Sequence, residues 1–207
     1  MQQVEERVIH SVARADWLDE VAHRIQQVLH RVFRGSDTGR RAKDILNGVW
    51  LAHPLHPAVT DVPVGAWTTA LVLEGVESAT GRDMDRGVST AIGLGILGAI
   101  ASAASGLADW ADTHGEQRRV GVVHAVTNAV GLGLYGASLV RRLSGHRSSA
   151  RALSRAGFLA LTVGAYLGGE LAYRLGTQVD RNAWVSGPAE FVPVMREADL
   201  PENRPTR

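Results

Sequence analysis

Two stretches of the chain contain no charged residue, and they decide its fold class. They are residues 88–108, VSTAIGLGILGAIASAASGLA, and residues 120–140, VGVVHAVTNAVGLGLYGASLV. A helix that crosses a bilayer needs about 20 consecutive, mostly apolar residues, and both stretches are long enough. The sequence therefore predicts an all-α integral membrane protein.

Two further stretches complete a predicted four-helix antiparallel bundle within residues 45–180, because the connections are short. In the first span the uncharged run is only 62–73, with Asp61 predicted as the N-cap, Pro63 in the first turn and Gly81 after the end. The predicted spans are about 62–79, 87–110, 119–141 and 152–175.

Small residues recur at four-residue spacing in the predicted spans, as they do where membrane helices pack closely. One such series in the second span includes Gly95, and one in the fourth includes Gly164. Glycine at this density destabilises helices in water, so the pattern favours a membrane bundle over a soluble one. The two series are Ala91, Gly95, Ala99 and Ala103, then Ala160, Gly164 and Gly168.

Residues 1–44 form a separate N-terminal region with no hydrophobic segment of the signal-peptide kind. Apolar residues recur at helical spacing over about 16–34, charged residues fill the other face, and Gly35 follows. This amphipathic helix lies either on lipid headgroups or against the protein's own membrane domain.

Composition excludes several functional classes. The 207 residues carry a formal net charge of +1, which argues against binding of nucleic acid by electrostatics. The chain has no Cys, so it holds no disulfide, no thiolate zinc site and no iron–sulfur cluster of its own. Any metal chemistry must use His and carboxylates.

Basic residues are uneven among the predicted loops, and they predict that loops one and three are cytoplasmic. The second loop has Arg118 and Arg119 but also Asp112 and Glu116. Loops one and three and their surroundings contain Arg82, Arg86, Arg141, Arg142, Arg147, Arg151 and Arg155.

Most of the unusual polar residues fall at one face of the predicted bundle. The start of span one, the end of span two, the start of span three and the end of span four meet there in an antiparallel arrangement. Imidazole and carboxylate groups are the ligands that metals use in the absence of thiolates. The candidate metal ligands are His53, His56, His114, His124, Asp109 and Glu170.

Helical spacing places some of these residues on polar stripes that also contain glycine, which leaves room for a neighbouring helix or a flat ligand. The stripe of span three is Gly121, His124, Asn128, Gly131 and Tyr135. The stripe of span two is Gly95, Gly98, Ser102, Ser105 and Asp109.

The functional interpretation is a site for haem b or a divalent metal held by His53, His56 and His124. Around it, Asn128, Ser105 and Tyr135 would orient the ligands. The alternative for each of these residues is that its polar group is hydrogen-bonded or ion-paired within the protein and binds no ligand. The histidines would then bond to Asn128 or to backbone groups, and Glu170 and Asp109 would pair with Arg118, Arg119 or Arg174.

A set of motifs extends over roughly residues 45–180. They are His53-Pro54-Leu55-His56-Pro57 with Pro63 and Gly65, Ser105-Gly106-Leu107-Ala108-Asp109-Trp110, His124 with Asn128, Tyr135 and Arg141, and Gly168-Gly169 with Tyr173 and Gly176. Together they resemble a bacterial membrane-domain family known as domain of unknown function 2231. The similarity implies a four-helix domain in the bacterial cytoplasmic membrane and no established reaction.

The tail, residues 181–207, has a second resemblance. Phe191-Val192-Pro193-Val194 and Asp199-Leu200-Pro201 look like the opening strand and turn of a Rieske-type ferredoxin domain, which relatives of this membrane domain often carry. The resemblance implies that the chain is a fragment of a longer protein or has lost that domain, and we favour a fragment.

The preferred hypothesis is therefore the membrane module of a redox protein, with a downstream ferredoxin-like domain or another redox partner. The alternatives are a non-catalytic membrane anchor and assembly partner, and a small protein that handles protons or ions through His124, Asp109 and Glu170. The expected partners include the lipid bilayer and a second copy of the chain, with no nucleic acid. Whether the protein is an enzyme is left open.

Overall fold

A computed structural model describes residues 11–179, 187–188 and 190–201. This part of the chain is helical with irregular connections and contains no strand, which confirms the all-α prediction. The helices are α1 (Trp17–Arg34), α2 (Asp37–Leu46), α3 (Leu55–Thr80), α4 (Asp85–Trp110), α5 (Gly115–Leu143) and α6 (Arg147–Gly169). Shorter turns are Val49–Leu51, Glu197–Asp199 and a π-helical turn, Glu170–Arg174, that continues α6.

Among the described residues, α4 and α5 are the two helices long and apolar enough to cross a membrane. They contain the two uncharged stretches with which the sequence predicts the fold class. Each has fewer than half of the residues in its most apolar segment buried inside the protein. The rest of that apolar surface faces outward, as in a helix in contact with lipid.

The start of α3 corrects one prediction. The helix begins at Leu55, so Asp61 lies inside it rather than at its N-cap, and Pro63 is an interior residue. The physical reason is Pro57. In the first turn of a helix the backbone N–H groups have no intrahelical acceptor, so a proline there loses no hydrogen bond. His56 is thereby part of α3 and not of the preceding loop.

The four long helices contact one another in pairs. α3 packs along α4, α5 packs along α6, and the two pairs meet where α4 contacts α5 and α3 contacts α6. Trp67 and Tyr135 stack in the centre with ring centroids 4.1 Å apart, and Val88 and Ile92 of α4 are buried beside them. The apolar core therefore lies between the pairs.

Close approach of the helices at small residues is confirmed at two positions. A Cβ added at Gly95 would lie 2.1 Å from the indole nitrogen of Trp67. One added at Gly164 would lie 2.5 Å from the side-chain oxygen of Asn128. Real Cβ atoms do not approach other atoms so closely, so these glycines are required by packing.

Helix α1 packs on the protein itself. Leu18 and Ala22 are buried against Val122, Val123 and Trp110. Both oxygens of Asp19 accept hydrogen bonds, one from Arg118 and one from Arg119, each with a shortest distance of 2.6 Å. Of the two sequence-based alternatives for this helix, contact with its own domain is therefore present.

The described part of the tail does not form the predicted strand. Residues 191–194 have an irregular conformation, and Phe191 and Val194 are exposed. A strand is stabilised by pairing, and no other strand lies in the described part of the chain to pair with it. Residues 181–186, 189 and 202–207 of the tail lie outside the described residues.

Candidate functional site: a histidine pair between four helices

His56 and His124 come together although 68 positions separate them in the chain. Their ring centroids lie 6.5 Å apart and the ring planes meet at 83°. His56 is the second residue of α3, and His124 lies in the N-terminal third of α5. The antiparallel order of the helices places these two segments at the same end of the helix assembly.

Each imidazole is fixed by a backbone carbonyl of another helix. Nδ1 of His56 lies 2.9 Å from the carbonyl oxygen of Ser102 on α4. Nδ1 of His124 lies 2.9 Å from that of Gly164 on α6. A carbonyl oxygen only accepts, so each Nδ1 carries the proton when the ring is neutral and each Nε2 keeps its lone pair. All four long helices thus contribute to the site.

Asn128 lies one turn beyond His124 and contacts it twice. Its amide nitrogen is 2.9 Å from the carbonyl oxygen of His124 and 3.2 Å from Nε2 of the same ring. The amide has two protons and can donate one to each acceptor. The sequence-based expectation that Asn128 orients His124 therefore agrees with the geometry.

Glycines make the space for both rings. A Cβ added at Gly106 would lie 2.8 Å from the His56 ring, and one added at Gly168 would lie 3.3 Å from the His124 ring. The rings thus rest on helix backbone where a larger side chain would displace them. These are glycines of the motifs that carry the family resemblance.

A buried polar stripe on α4 adjoins the pair. The Ser105 hydroxyl donates to the carbonyls of Ala101 and Ser102 at 3.1 Å. By contrast, Oγ of Ser102 and Oδ2 of Asp109 are buried without a hydrogen-bond partner among the described residues. Buried polar atoms are usually paired, so two unpaired ones on the same stripe mark this end of α4 as a candidate functional region.

The structure places the other candidate ligands elsewhere. His53 is exposed, with Nδ1 3.1 Å from the carbonyl oxygen of Pro54, and His114 is exposed immediately before α5. Glu170 forms an ion pair with Arg174 at 2.5 Å. Tyr135 belongs to the apolar core, where it stacks on Trp67 rather than orienting a histidine.

The six candidate ligands do not come together as a single metal site. The described residues contain no group of three or more His, Asp or Glu side chains placed to hold a metal ion. The six proposed ligands therefore divide into a histidine pair and individual residues around it. Asp109 also stands apart from the arginines expected to pair with it, since Arg118 and Arg119 bind Asp19 instead.

Sequence reasoning missed a charged cluster at the opposite end of the long helices. Arg142 of α5 is fully buried and forms ion pairs with Glu74 of α3 and with Asp85 of α4, the latter at 2.7 Å. Ser154 of α6 donates to the same Glu74 carboxylate at 2.8 Å. The sequence feature that could have revealed this cluster is a glutamate, Glu74, inside one predicted span together with an arginine at the adjacent end of another span. Arg142 was instead counted among the charges of the third loop.

Comparison with known proteins agrees with the class that this fold defines, an all-helical membrane protein. The chain belongs to the family described as "Predicted membrane protein (DUF2231)", whose model matches residues 52–181. The match begins just before the His-Pro motif and ends beyond the π-helical turn of α6. No curated protein and no solved structure matches the chain.

Proposed function

We propose that the protein is an integral membrane module in which α3–α6 cross the bacterial cytoplasmic membrane as an antiparallel four-helix bundle. On this proposal His56 and His124 bind a metal centre between them. Helices α3 and α6 have 26 and 23 residues, which is about 39 and 35 Å at 1.5 Å per residue. Both exceed the hydrocarbon thickness of about 30 Å, so their lengths support four spans.

The observation that carries the metal proposal is the state of the two rings. Both have Nδ1 engaged by a backbone carbonyl of a neighbouring helix, so Nε2 is the atom of each ring that could bind a ligand, and at His124 the Asn128 amide lies against that atom. Proteins orient metal-binding histidines by a hydrogen bond of this kind, from the ring nitrogen that does not bind the metal. Two such rings from different helices, with centroids 6.5 Å apart, support a shared ligand.

The residues present fit a single divalent ion better than haem b. In a bis-histidine haem the two nitrogens lie about 4 Å apart across the iron, and the ring separation allows this. A porphyrin also needs a flat slot, yet Asn128 lies 3.2 Å from Nε2 of His124 and the rings rest directly on helix backbone. A small ion requires only that the Asn128 amide turn away, with water completing its coordination.

Electron transfer to a ferredoxin-like domain or another redox partner would follow only from a redox-active centre at the pair. The hypothesis that the protein is a redox module therefore depends on which metal or cofactor binds at the histidine pair. A zinc-like ion would make the pair a structural or transport site instead, because zinc has no redox chemistry.

A second candidate function, proton handling, is favoured by a separate observation. The buried Asp109 carboxylate lies one helical turn beyond Gly106, whose backbone supports the His56 ring, and its Oδ2 has no partner among the described residues. On this alternative a proton leaving the carboxyl would pass toward Nε2 of His56, because Nδ1 of that ring is engaged by the Ser102 carbonyl. Ionisable groups of this kind mark proton relays in membrane proteins.

The test uses the full chain purified in detergent. A visible spectrum is recorded first, because a bis-histidine haem absorbs strongly in the Soret region. The protein is then titrated with Co²⁺, which reports its coordination by absorbance. We expect no Soret band and one bound Co²⁺ per chain, with affinity reduced about 10- to 100-fold or more by His56→Ala or His124→Ala.

His53→Ala and His114→Ala are the matched controls, because both histidines are exposed at the same end of the protein. Their Co²⁺ affinity should equal that of the unmodified chain. A Soret band lost in His124→Ala would favour haem and electron transfer. Absence of both haem and Co²⁺ binding would contradict the metal proposal and favour either the proton relay or the plain membrane anchor. Those two would be separated by measuring proton flux in liposomes, which Asp109→Asn should reduce only if the protein is a relay.

A further inference from the structure

Helix α1 carries an apolar stripe that the described part of the chain leaves exposed. Its members lie at helical spacing along the whole length of the helix. They are Trp17, Val21, Ile25, Val28 and Val32, which are 70%, 44%, 40%, 50% and 58% exposed. A continuous exposed stripe of this kind marks an interaction surface, whereas scattered exposed apolar residues do not.

The stripe is distinct from the face that docks on the protein. Leu18, Ala22 and Gln26 are buried, each one position after a member of the stripe. Successive residues of an α-helix are about 100° apart, so the exposed stripe lies beside the docked face and not opposite to it. Packing on α5 therefore accounts for one apolar face of α1, and no residue from 11 to 179 covers the second.

The stripe is continuous with outward apolar surface on a candidate membrane span. α1 rests on Val122 and Val123 of α5. The next residues on that side of α5 are Val126 and Val130, which are 57% and 52% exposed. α5 is apolar enough to cross a bilayer, so this exposed valine surface is a candidate for contact with acyl chains, and it continues the side of α5 on which α1 packs.

Arginines border the other side of the stripe. Arg24 and Arg31 lie next to it on the helix, and both are exposed, Arg24 in a surface ion pair with Glu20 at 2.6 Å. Around α1 the order is therefore docked face, apolar stripe, arginines and then a polar face. Trp17 lies at the start of the stripe, and tryptophan is enriched where membranes meet water.

We propose that α1 lies in the membrane interface, with its apolar stripe among the upper acyl chains and with Arg24 and Arg31 on phosphates of anionic lipids. One face of the helix binds the protein and the adjacent face binds lipid. The arginines extend from the border of the stripe to the headgroups, as basic side chains do at interfaces. This inference does not depend on the ligand of the histidine pair.

The test measures where the Trp17 side chain lies. The full chain is reconstituted in nanodiscs of phosphatidylcholine and phosphatidylglycerol, with or without bromine near the top of the acyl chains. Subtracting the emission of Trp17→Phe from that of the unmodified protein isolates Trp17 from the other tryptophans. We expect brominated lipid to reduce the Trp17 emission about two-fold or more, and aqueous iodide to have little effect.

Two neighbouring variants make a matched pair. Val28→Asp places a charge on the stripe and should expose Trp17 to iodide. Gln27→Asp places the same charge on the exposed polar face and should leave the quenching unchanged. Quenching of Trp17 by iodide but not by brominated lipid would overturn the proposal. Protection from both quenchers would also overturn it and would indicate cover by protein, such as a second copy.

The lipid charge is tested with the double variant Arg24→Gln, Arg31→Gln. In the unmodified protein, omitting phosphatidylglycerol should weaken quenching of Trp17 by brominated lipid. In the double variant this dependence should disappear, since the cations that select anionic headgroups are gone. An unchanged dependence on phosphatidylglycerol would refute the role of the two arginines.

Discussion

The two ends of the long helices both contain buried polar residues, but they satisfy them differently. At one end, backbone carbonyls hold the His56 and His124 rings, and Oδ2 of Asp109 is buried without a hydrogen-bond partner among the described residues. At the other, the charge of Arg142 is matched by Glu74 and Asp85. The difference is the basis of our proposal that the first end binds a ligand, whereas the ion pairs of the second end join three helices.

The charged end is not free of unpaired atoms. Nε of Arg142 and Oε2 of Glu74 are buried without a hydrogen-bond partner among the described residues. Each belongs to a group whose other atoms form ion pairs, however, and the opposite charges lie in contact. Among the described residues Asp109 forms no ion pair within contact distance, although the charge of Lys43 acts on it, so its unpaired oxygen at the histidine end is the stronger indication of function.

The largest effect is expected at the charged end. Arg142→Met leaves Glu74 and Asp85 without their buried partner and should lower the free energy of unfolding by about 3–5 kcal/mol. Thermal unfolding in detergent measures the change. Arg141→Met is the matched control, because Arg141 is the exposed neighbour on the same turn, and its unfolding should change little. Equal effects of the two variants would show that the cluster does not hold the helices together.

A second prediction concerns the backbone that supports His56. In Gly106→Ala the new methyl group would lie 2.8 Å from the ring, so we expect a loss of about 1–3 kcal/mol together with weaker Co²⁺ binding. Gly93→Ala on the same helix meets no atom within 4 Å and should stabilise α4 by up to about 1 kcal/mol. Loss of stability without any change in metal affinity would separate the packing role of Gly106 from the site.

The comparison also shows what the sequence could reveal. Uncharged stretches predicted α4 and α5, because a long apolar run is a local property of the sequence, and the structure has both as candidate spans. The convergence of His56 and His124 followed from antiparallel order and short connections. His53 and His114 were predicted to join His56 and His124, but both are exposed. A residue just before a helix can point toward or away from the neighbouring helices, and the spacing of the sequence does not determine which.

The ion-pair cluster was hidden for a different reason. A basic residue at the end of a span is ordinarily counted as a free surface charge, whereas Arg142 is buried in ion pairs with Glu74 and Asp85. Its burial depends on the side-chain partners from α3, α4 and α6, which only the tertiary arrangement brings together. The start of α3 was likewise misjudged because Asp61 is a favourable cap in isolation, whereas Pro57 already fits the first turn.

The third prediction compares one carboxylate from each end. Asp109→Asn replaces a buried charged group that lacks a hydrogen-bond partner with a neutral group of the same shape, so we expect stability to rise by about 1 kcal/mol. Glu74→Gln removes the charge that faces Arg142 and should lower stability. Both are measured by thermal unfolding at neutral pH. A loss in Asp109→Asn as large as that in Glu74→Gln would mean that Asp109 also has a structural partner.

The smallest effect is expected at the surface contact that docks α1 beside the histidine end. Hydrogen bonds from Arg119 and Arg118 hold the pKa of the Asp19 carboxyl below its ordinary value of 3.8. A carboxyl with a lowered pKa stabilises the folded state above its ordinary pKa, and this contribution is lost as the pH falls through the lowered value. Docking of α1 should therefore be constant down to about pH 4 and weaken only below it.

Hydrogen exchange of the α1 amides across this pH range measures that docking, after correction for the intrinsic pH dependence of exchange. Asp19→Asn should exchange faster than the unmodified chain at neutral pH and lose the acid-dependent step. High salt should weaken docking in the unmodified chain, because these side chains are partly exposed, but should not affect the buried Arg142 cluster. If the acid-dependent step persisted in Asp19→Asn, another carboxylate would be responsible for it. Asp19 would then not be the residue whose salt-sensitive contact contrasts with the buried Arg142 cluster.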